Sequence, residues 1–248
     1  MQKYLISNNI NFKNNFNINQ ISPLKISHFI NMAIFPKNTL ELVKCINYCL
    51  KNNIKYLIFG KLSNSLLDES IHKLKTVIIF TNKLNKFRII KNKFLFAQAG
   101  VPIPKLSKVI TNLSYKGFSG ISGIPGTIGG AIYMNAGSYG NEISDYLISL
   151  RTIDSNGKII SLKKEDLNFS WRYSEFHRNY KKNIIIDSLF SLTPGDKNKL
   201  KHHFLKTQKL RFKFQEKGQY NLGSTFATTW IYDDILLNNK NYRIKNKI

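Results

Sequence analysis

The spacing of apolar residues changes several times along the chain, and each change predicts an element. In TLELVKCINYCLKNN, Leu40, Val43, Cys45, Ile46, Cys49 and Leu50 recur at intervals of three and four, which predicts an amphipathic helix capped by Thr39 and ended by asparagines. KYLIFG (55–60) is a continuous apolar strand that runs into a polar turn, KLSNSLL (61–67). From 75 to 100, TVIIF, FRII and FLFAQAG are short β-branched and aromatic runs separated by lysine and asparagine, the pattern of a strand meander. PKLSKVITNLSY (104–115) predicts a helix with Pro104 near its start and Leu106, Val109, Ile110 and Leu113 on one face. Two apolar-rich runs around Ser155-Asn156-Gly157 predict a hairpin, because Asn-Gly supplies the positive backbone angles of a tight turn. IIIDSLFSL (184–192) is a further strand, Pro194-Gly195 breaks it, and 196–215 reads as a basic helix. Residues 1–20 are asparagine-rich with little periodicity and read as a loosely ordered lead-in; residues 21–35 read as a strand pair or a bent strand. This order describes an α+β protein and not a repeating βαβ unit.

The stretch 117–140, GFSGISGIPGTIGGAIYMNAGSYG, departs furthest from that background. Gly123, Gly126, Gly129 and Gly130, with Pro125 among them, predict a tight bare loop, since each glycine weakens a helix or strand interior by roughly 0.5–1 kcal/mol. Bare backbone lets N–H groups converge on an anion such as a pyrophosphate. The same glycines also suit a turn that only lets two elements pack. No Gly-Lys-Ser/Thr follows and no strand leads into a G-x-G-x-x-G, which excludes a nucleotide P-loop. Ser63, Asn64 and Ser65 behind Gly60 could add hydroxyl and amide donors at a second anion loop.

Composition narrows the function classes. With 248 residues and 42% hydrophobic content the chain is globular, and with neither an eighteen-residue apolar run nor a signal-like N-terminus it is expected in the cytoplasm, off the membrane. Cys45 and Cys49 suit two reduced thiols on one helix face, and adjacent His202 and His203 point to different faces, so no metal site is expected. The net charge of +24 comes from lysine scattered among asparagine and isoleucine, a bias of AT-rich coding and not a nucleic-acid stripe; its field favours small anionic ligands.

SGIPGTIGGAIYMNAGSYGNEI resembles the flavin-binding signature of the UDP-N-acetylenolpyruvoylglucosamine reductases, matching it at Ile124, Pro125, Gly126, Gly129, Gly130, Asn135, Ala136, Gly137, Tyr139 and Gly140. The resemblance implies an FAD-binding domain of the vanillyl-alcohol-oxidase/PCMH type, in two α+β subdomains over 21–195, with 196–248 as a truncated remnant of the substrate domain. It implies that Gly123 to Gly130, including Thr127, and the segment from Asn135 to Gly140 lie along the flavin. Gly60, Ser63, Asn64 and Leu66, with Ser65 between them, match the family's Gly-x-Gly-Ser-Asn-x-Leu pyrophosphate loop; Leu62 replaces its second glycine, and a stiffer loop is expected. Trp171, Arg172, Ser174 and Phe176 match Tyr-Arg-x-Ser-x-Phe, Arg211 and Gln215 resemble Arg-x-x-x-Gln-Pro, and Gly223, Ser224 and Phe226 match Gly-Ser-x-Phe.

The implied activity is FAD-dependent, NADPH-consuming reduction of UDP-N-acetylglucosamine enolpyruvate to UDP-N-acetylmuramate for peptidoglycan, by a monomer that binds a nucleotide-sugar and NADPH and no nucleic acid. Arg172 would stabilise developing charge and Ser224 would donate the proton. The family's C-terminal glutamate has no counterpart, because WIYDDILLNNKNYRIKNKI contains none and nothing aligns Asp233 or Asp234 to its role. An active reductase, a paralogous flavin oxidoreductase acting on another nucleotide-sugar, and a non-catalytic FAD-binding remnant therefore all remain open.

Overall fold

The computed structural model describes residues 1–214, 220 and 222, and the backbone of 230–237 and 240–247. Two sheets organise it. The first runs in the order β1 (Phe12–Asn17), β2 (Phe29–Ile34), β4 (Val77–Phe80), β3 (Tyr56–Phe59). β1 is antiparallel to β2, whereas β4 lies parallel to both β2 and β3. Helix α2 (Thr39–Lys51) makes the crossover from β2 to β3. Its cap is Asn38 and not Thr39: the Asn38 side chain accepts from the Glu41 N–H at 2.9 Å, and the Glu41 carboxylate accepts from the Lys37 N–H at 2.8 Å. The buried face carries Leu42, Cys45, Ile46 and Cys49, while Leu40, expected on it, is 64% exposed. Burial pushes the Cys45 thiol up to about 12 and the Cys49 thiol up to about 11, so both stay neutral at physiological pH.

The second sheet, β10-β9-β11-β6-β5, is antiparallel throughout. It is built from β5 (Phe87–Ile90), β6 (Phe94–Gln98), β9 (Leu147–Ile153), β10 (Ile159–Lys163) and β11 (Ile184–Ser191). The β9–β10 hairpin turns at Asn156-Gly157 as expected, but Gly157 alone takes a positive φ, +78°, and Asn156 does not. The expected single meander over 75–100 is corrected: β4 belongs to the first sheet and β5 and β6 to the second, with a short 3-10 turn, Thr81–Lys83, between them. β4 is buried at all its positions, as a central parallel strand must be, whereas β5 is an edge strand.

The lead-in is also corrected. Helix α1 (Gln2–Ser7) and β1 are ordered parts of the first unit, and Leu5, Ile10, Phe16 and Ile18 are buried. Accordingly 21–35 contributes one strand, β2, whose partner comes from the lead-in. One core cluster joins Ile34, Ile46 and Ile79 of the first unit to Ile153, Ile184 and Ile186 of the second, so the two sheets share buried contacts. The opposite face of the first sheet holds Phe16, Phe35 and Phe80, the last two stacked at 5.5 Å.

The remaining elements carry the site. They are helix α3 (Ile103–Asn112), helix α4 (Ile128–Tyr133), the mini-hairpin β7 (Gly137–Ser138) and β8 (Asn141–Glu142), and helix α5 (Lys197–Phe214). β12 (Trp230–Leu237) and β13 (Lys240–Lys247) pair antiparallel.

Candidate flavin site

The two glycine loops meet. The Ser63 hydroxyl donates to the Pro125 carbonyl at 3.0 Å, tying the turn after β3 to the loop before α4. A β-carbon at Gly60 would overlap the Thr127 hydroxyl, and one at Gly126, whose φ is +135°, would lie 2.9 Å from Ser63 Oγ. Backbone thus comes closer here than any side chain would allow. The N–H groups of Ser63, Asn64, Gly126 and Thr127 donate to no group among the described residues, and the Thr127 side chain makes no helix-cap bond. Asn64 and Leu66 stand exposed at the rim, and Ser65 is half-buried.

Leu62, at the family's second glycine, takes the left-handed conformation a glycine would, φ +55°, and buries its side chain with Phe16, Phe80 and Ile71. Burial of a leucine is worth about 1.5–3 kcal/mol and offsets a left-handed penalty of about 1–2 kcal/mol. Leu62 thus anchors the loop in the hydrophobic core.

Gly129 and Gly130 open helix α4, which corrects the expectation that they belong to the bare loop. The helix forms because its first N–H groups find fixed acceptors: Ile128 donates to the Val101 carbonyl at 2.9 Å and Gly129 to the Ala99 carbonyl at 2.8 Å. A β-carbon at Gly129 would lie 2.9 Å from that of Ala99, whereas at Gly130 the nearest atom is Thr127 Oγ1 at 3.7 Å. Gly129 is therefore a packing glycine and Gly130 faces open space. Gly130→Ala is expected to stabilise the flavin-free protein by about 0.5–1 kcal/mol, as alanine does in a helix, yet to weaken FAD binding; Gly129→Ala should lower thermal stability with or without FAD. Thermal melts of both variants, with and without flavin, check this.

Arg172 sits on a turn of its own. Ser170 and Tyr173 exchange backbone hydrogen bonds at 3.2 and 3.1 Å, closing a two-residue turn over Trp171 and Arg172, and Arg172 occupies it at φ +54°. An arginine held there costs of order 1–3 kcal/mol, the kind of strain that marks functional positions. Its guanidinium donates through Nη2 to the Gly137 carbonyl at 2.8 Å and through Nη1 to the Asn135 carbonyl at 3.5 Å, and lies 4.4 Å from the Trp171 ring centre. Burial pulls its pKa down, and Glu142 opposes that shift. Ser174 donates to the Tyr133 carbonyl at the end of α4 at 2.6 Å, and Phe176 is fully buried, so the rest of the motif fixes the turn to the core.

Asn135 is buried and its amide faces inward. Gly137 admits the Glu142 side chain, since a β-carbon there would lie 2.8 Å from Glu142 Cγ. Tyr139 and Gly140, at φ +46° and +78°, form the tight turn of the β7–β8 hairpin, and Asn141 anchors that hairpin by accepting from the Gly120 N–H at 3.0 Å. Ile124 packs against the core cluster beneath the loop.

Helix α5 closes one side, and this docking is not evident in the sequence. Ser119 Oγ and His203 Nδ1 are 2.7 Å apart, Thr207 donates to the Ser119 carbonyl at 3.3 Å, and Gln208 donates to Ser122 Oγ at 3.0 Å. Arg211 lies over Gly123, where a β-carbon would be 2.5 Å from its Cδ. Burial pulls the Arg211 pKa down, opposed by Tyr139, and its Nε is buried without a partner among the described residues. The only signal was the spacing 203, 207, 211, a polar stripe on one helix face. Gln215, Gly223, Ser224 and Phe226 lie outside the described residues, as do the side chains of Asp233 and Asp234. Among the described residues no group of three or more His, Cys, Asp or Glu could hold a metal ion, and no helix is long and apolar enough to cross a membrane.

Comparison with known proteins agrees with this geometry. The FAD binding domain family matches residues 30–163. UDP-N-acetylenolpyruvoylglucosamine reductase of Clostridium novyi is 34% identical over 215 residues, 86% of this chain and 68% of that protein. The enzyme of the same name from Streptococcus mutans is 32% identical over 192 residues, 77% of this chain and 61% of that one. The chain therefore spans between 61% and 68% of the length of these curated relatives. Among solved structures, UDP-N-acetylenolpyruvylglucosamine reductase from Thermus caldophilus superposes with a TM-score of 0.67 at 19% identity, covering 90% of this chain and 75% of that one. A solvent-stable cholesterol oxidase superposes with a TM-score of 0.58 at 16% identity, covering 75% of this chain and 38% of that one. The two sheets are thus the two α+β subdomains of an FAD-binding domain, and the chain belongs to the UDP-N-acetylenolpyruvoylglucosamine reductase family.

Proposed function

We propose that the protein acts in the cytoplasm as an NADPH-consuming flavoenzyme that reduces UDP-N-acetylglucosamine enolpyruvate to UDP-N-acetylmuramate. The observation that carries this reading is the presentation of Arg172 at a left-handed turn position, with its guanidinium on the Gly137 carbonyl of the β7–β8 hairpin. Those loops fit FAD: a side chain at Gly126 would fill the cradle, and the N–H groups of Ser63, Asn64, Gly126 and Thr127 are free to meet a pyrophosphate. Gly60, Ser63 to Leu66, Gly123 to Thr127 and Gly130 form the proposed cradle, with the Gly137–Gly140 hairpin beside it. The FAD-binding fold in this reading begins with α1 and β1 and runs to residue 195, and 196–248 belongs to the substrate side, with α5 as its link to the loop.

When bound, FAD supplies the hydride that NADPH delivers to it. Hydride addition to one alkene carbon of the enolpyruvyl group leaves negative charge on the other carbon and on the adjoining carboxylate. Arg172 grips that carboxylate through paired N–H donors and remains charged at neutral pH. Ser224 then gives its proton to the carbanionic carbon, completing addition across the double bond. The test is anaerobic: protein with its flavin reduced by NADPH receives the enolpyruvyl nucleotide-sugar, and the oxidised-flavin absorbance should return at once. Flavin that is reduced by NADPH but never reoxidised by this substrate refutes the proposal.

A further inference from the structure

We infer that Asn135 is a positioning residue for Arg172, acting through Glu142 and the Ser170 turn, and that its side chain does not contact the flavin. An amide nitrogen carries two protons, and both of those on Asn135 are taken: Nδ2 donates to Glu142 Oε2 at 2.9 Å and to the Ser170 carbonyl at 2.8 Å. The residue is 0% exposed and sits at φ +42°, a conformation asparagine tolerates better than most residues. One buried side chain therefore ties the first residue of the Arg172 turn to the carboxylate that Arg172 faces. The backbone supplies the other half of the clamp, because the carbonyls of Asn135 and Gly137 accept the Arg172 guanidinium. Asn135 Oδ1 has no partner among the described residues and is buried, so it offers no donor or accessible acceptor to a ligand in the open cradle. With the amide gone, the turn would keep its closing bonds but lose its tether, and the guanidinium would move relative to the loops.

The inference rests on the reading of Arg172 as the group that grips the substrate, but its test does not depend on activity alone. Two variants of the FAD-loaded protein are used. Asn135→Gly keeps the positive φ and removes the amide; Asn135→Asp keeps the shape, removes both donors and sets a second carboxylate against Glu142. Arg172 reactivity toward an arginine-specific dicarbonyl is followed by peptide mass, with exposed Arg88, on edge strand β5, as internal control. Labelling of Arg172 should accelerate about tenfold, the size expected when a buried hydrogen bond is lost, while Arg88 and the FAD content do not change. In turnover KM for the enolpyruvyl substrate should rise and kcat fall, with NADPH reduction of the flavin unchanged. Glu142→Ala removes the acceptor that Asn135 holds; should the Asn135 variants fold poorly, the same gain in Arg172 labelling is required of it. Loss of FAD with Arg172 labelling unchanged overturns the inference, as does wild-type behaviour in both readouts. Accelerated labelling in a protein whose wild type never passes hydride to this substrate supports the positioning role and refutes only the proposed function.

Discussion

Arg172→Gly should leave a folded, FAD-containing protein that NADPH still reduces but that passes hydride to the enolpyruvyl nucleotide-sugar on the order of 100- to 1000-fold more slowly, the usual effect of removing a charge-stabilising donor. Glycine is the informative replacement because Arg172 stands at φ +54°, where glycine is at ease and arginine is not. The substitution deletes the guanidinium, its bonds to the Gly137 and Asn135 carbonyls and its contact with Trp171, while relieving the backbone. Stability should change by no more than about 1 kcal/mol, since strain relief of about 1–3 kcal/mol offsets the lost contacts. Timing the two half-reactions separately checks this. An equal slowing of both steps would place Arg172 in the fold and not in the chemistry. Arg172→Lys should recover little, because a single ammonium cannot grip a carboxylate through paired donors.

Gly126→Val should abolish FAD retention while leaving a soluble protein. The new β-carbon would come within 2.9 Å of Ser63 Oγ, the atom that joins the two loops through the Pro125 carbonyl. It would also put a β-branched residue at φ +135°, a region closed to such side chains. Losing the hydrogen bond and adding the strain together cost about 2–4 kcal/mol, or roughly 30- to 1000-fold in affinity at about 1.4 kcal/mol per tenfold. Titration with FAD, followed by quenching of flavin fluorescence, measures the loss. Wild-type affinity in this variant would reduce the junction of loops to a packing turn.

Much of this site was legible because glycine, proline and motif spacing speak directly about backbone. Gly60, Gly126 and Gly157 fall where close approach or positive φ demands them. Arg172 was legible through its neighbours, Ser174 and Phe176, which hold the turn. What stayed hidden was set by long-range contacts. β4 and β5 have similar composition yet join different sheets, since membership depends on partners far along the chain. β1 was hidden because only Phe16 of its six residues is buried, among asparagines and a lysine. The docking of α5 was hidden in what reads as a basic helix, because His203, Thr207 and Arg211 are polar and the serine that meets His203 and Thr207 lies more than eighty residues away. Glycine in a motif was also ambiguous: Gly129 packs against Ala99 while its neighbour Gly130 faces open space.

The most direct measurement is the flavin content of the purified protein. If the loops 60–66 and 123–130 form one cradle, the protein is yellow, and denaturation releases FAD in a ratio near one per chain. Colourless protein that also fails to take up added FAD would contradict the account at its centre.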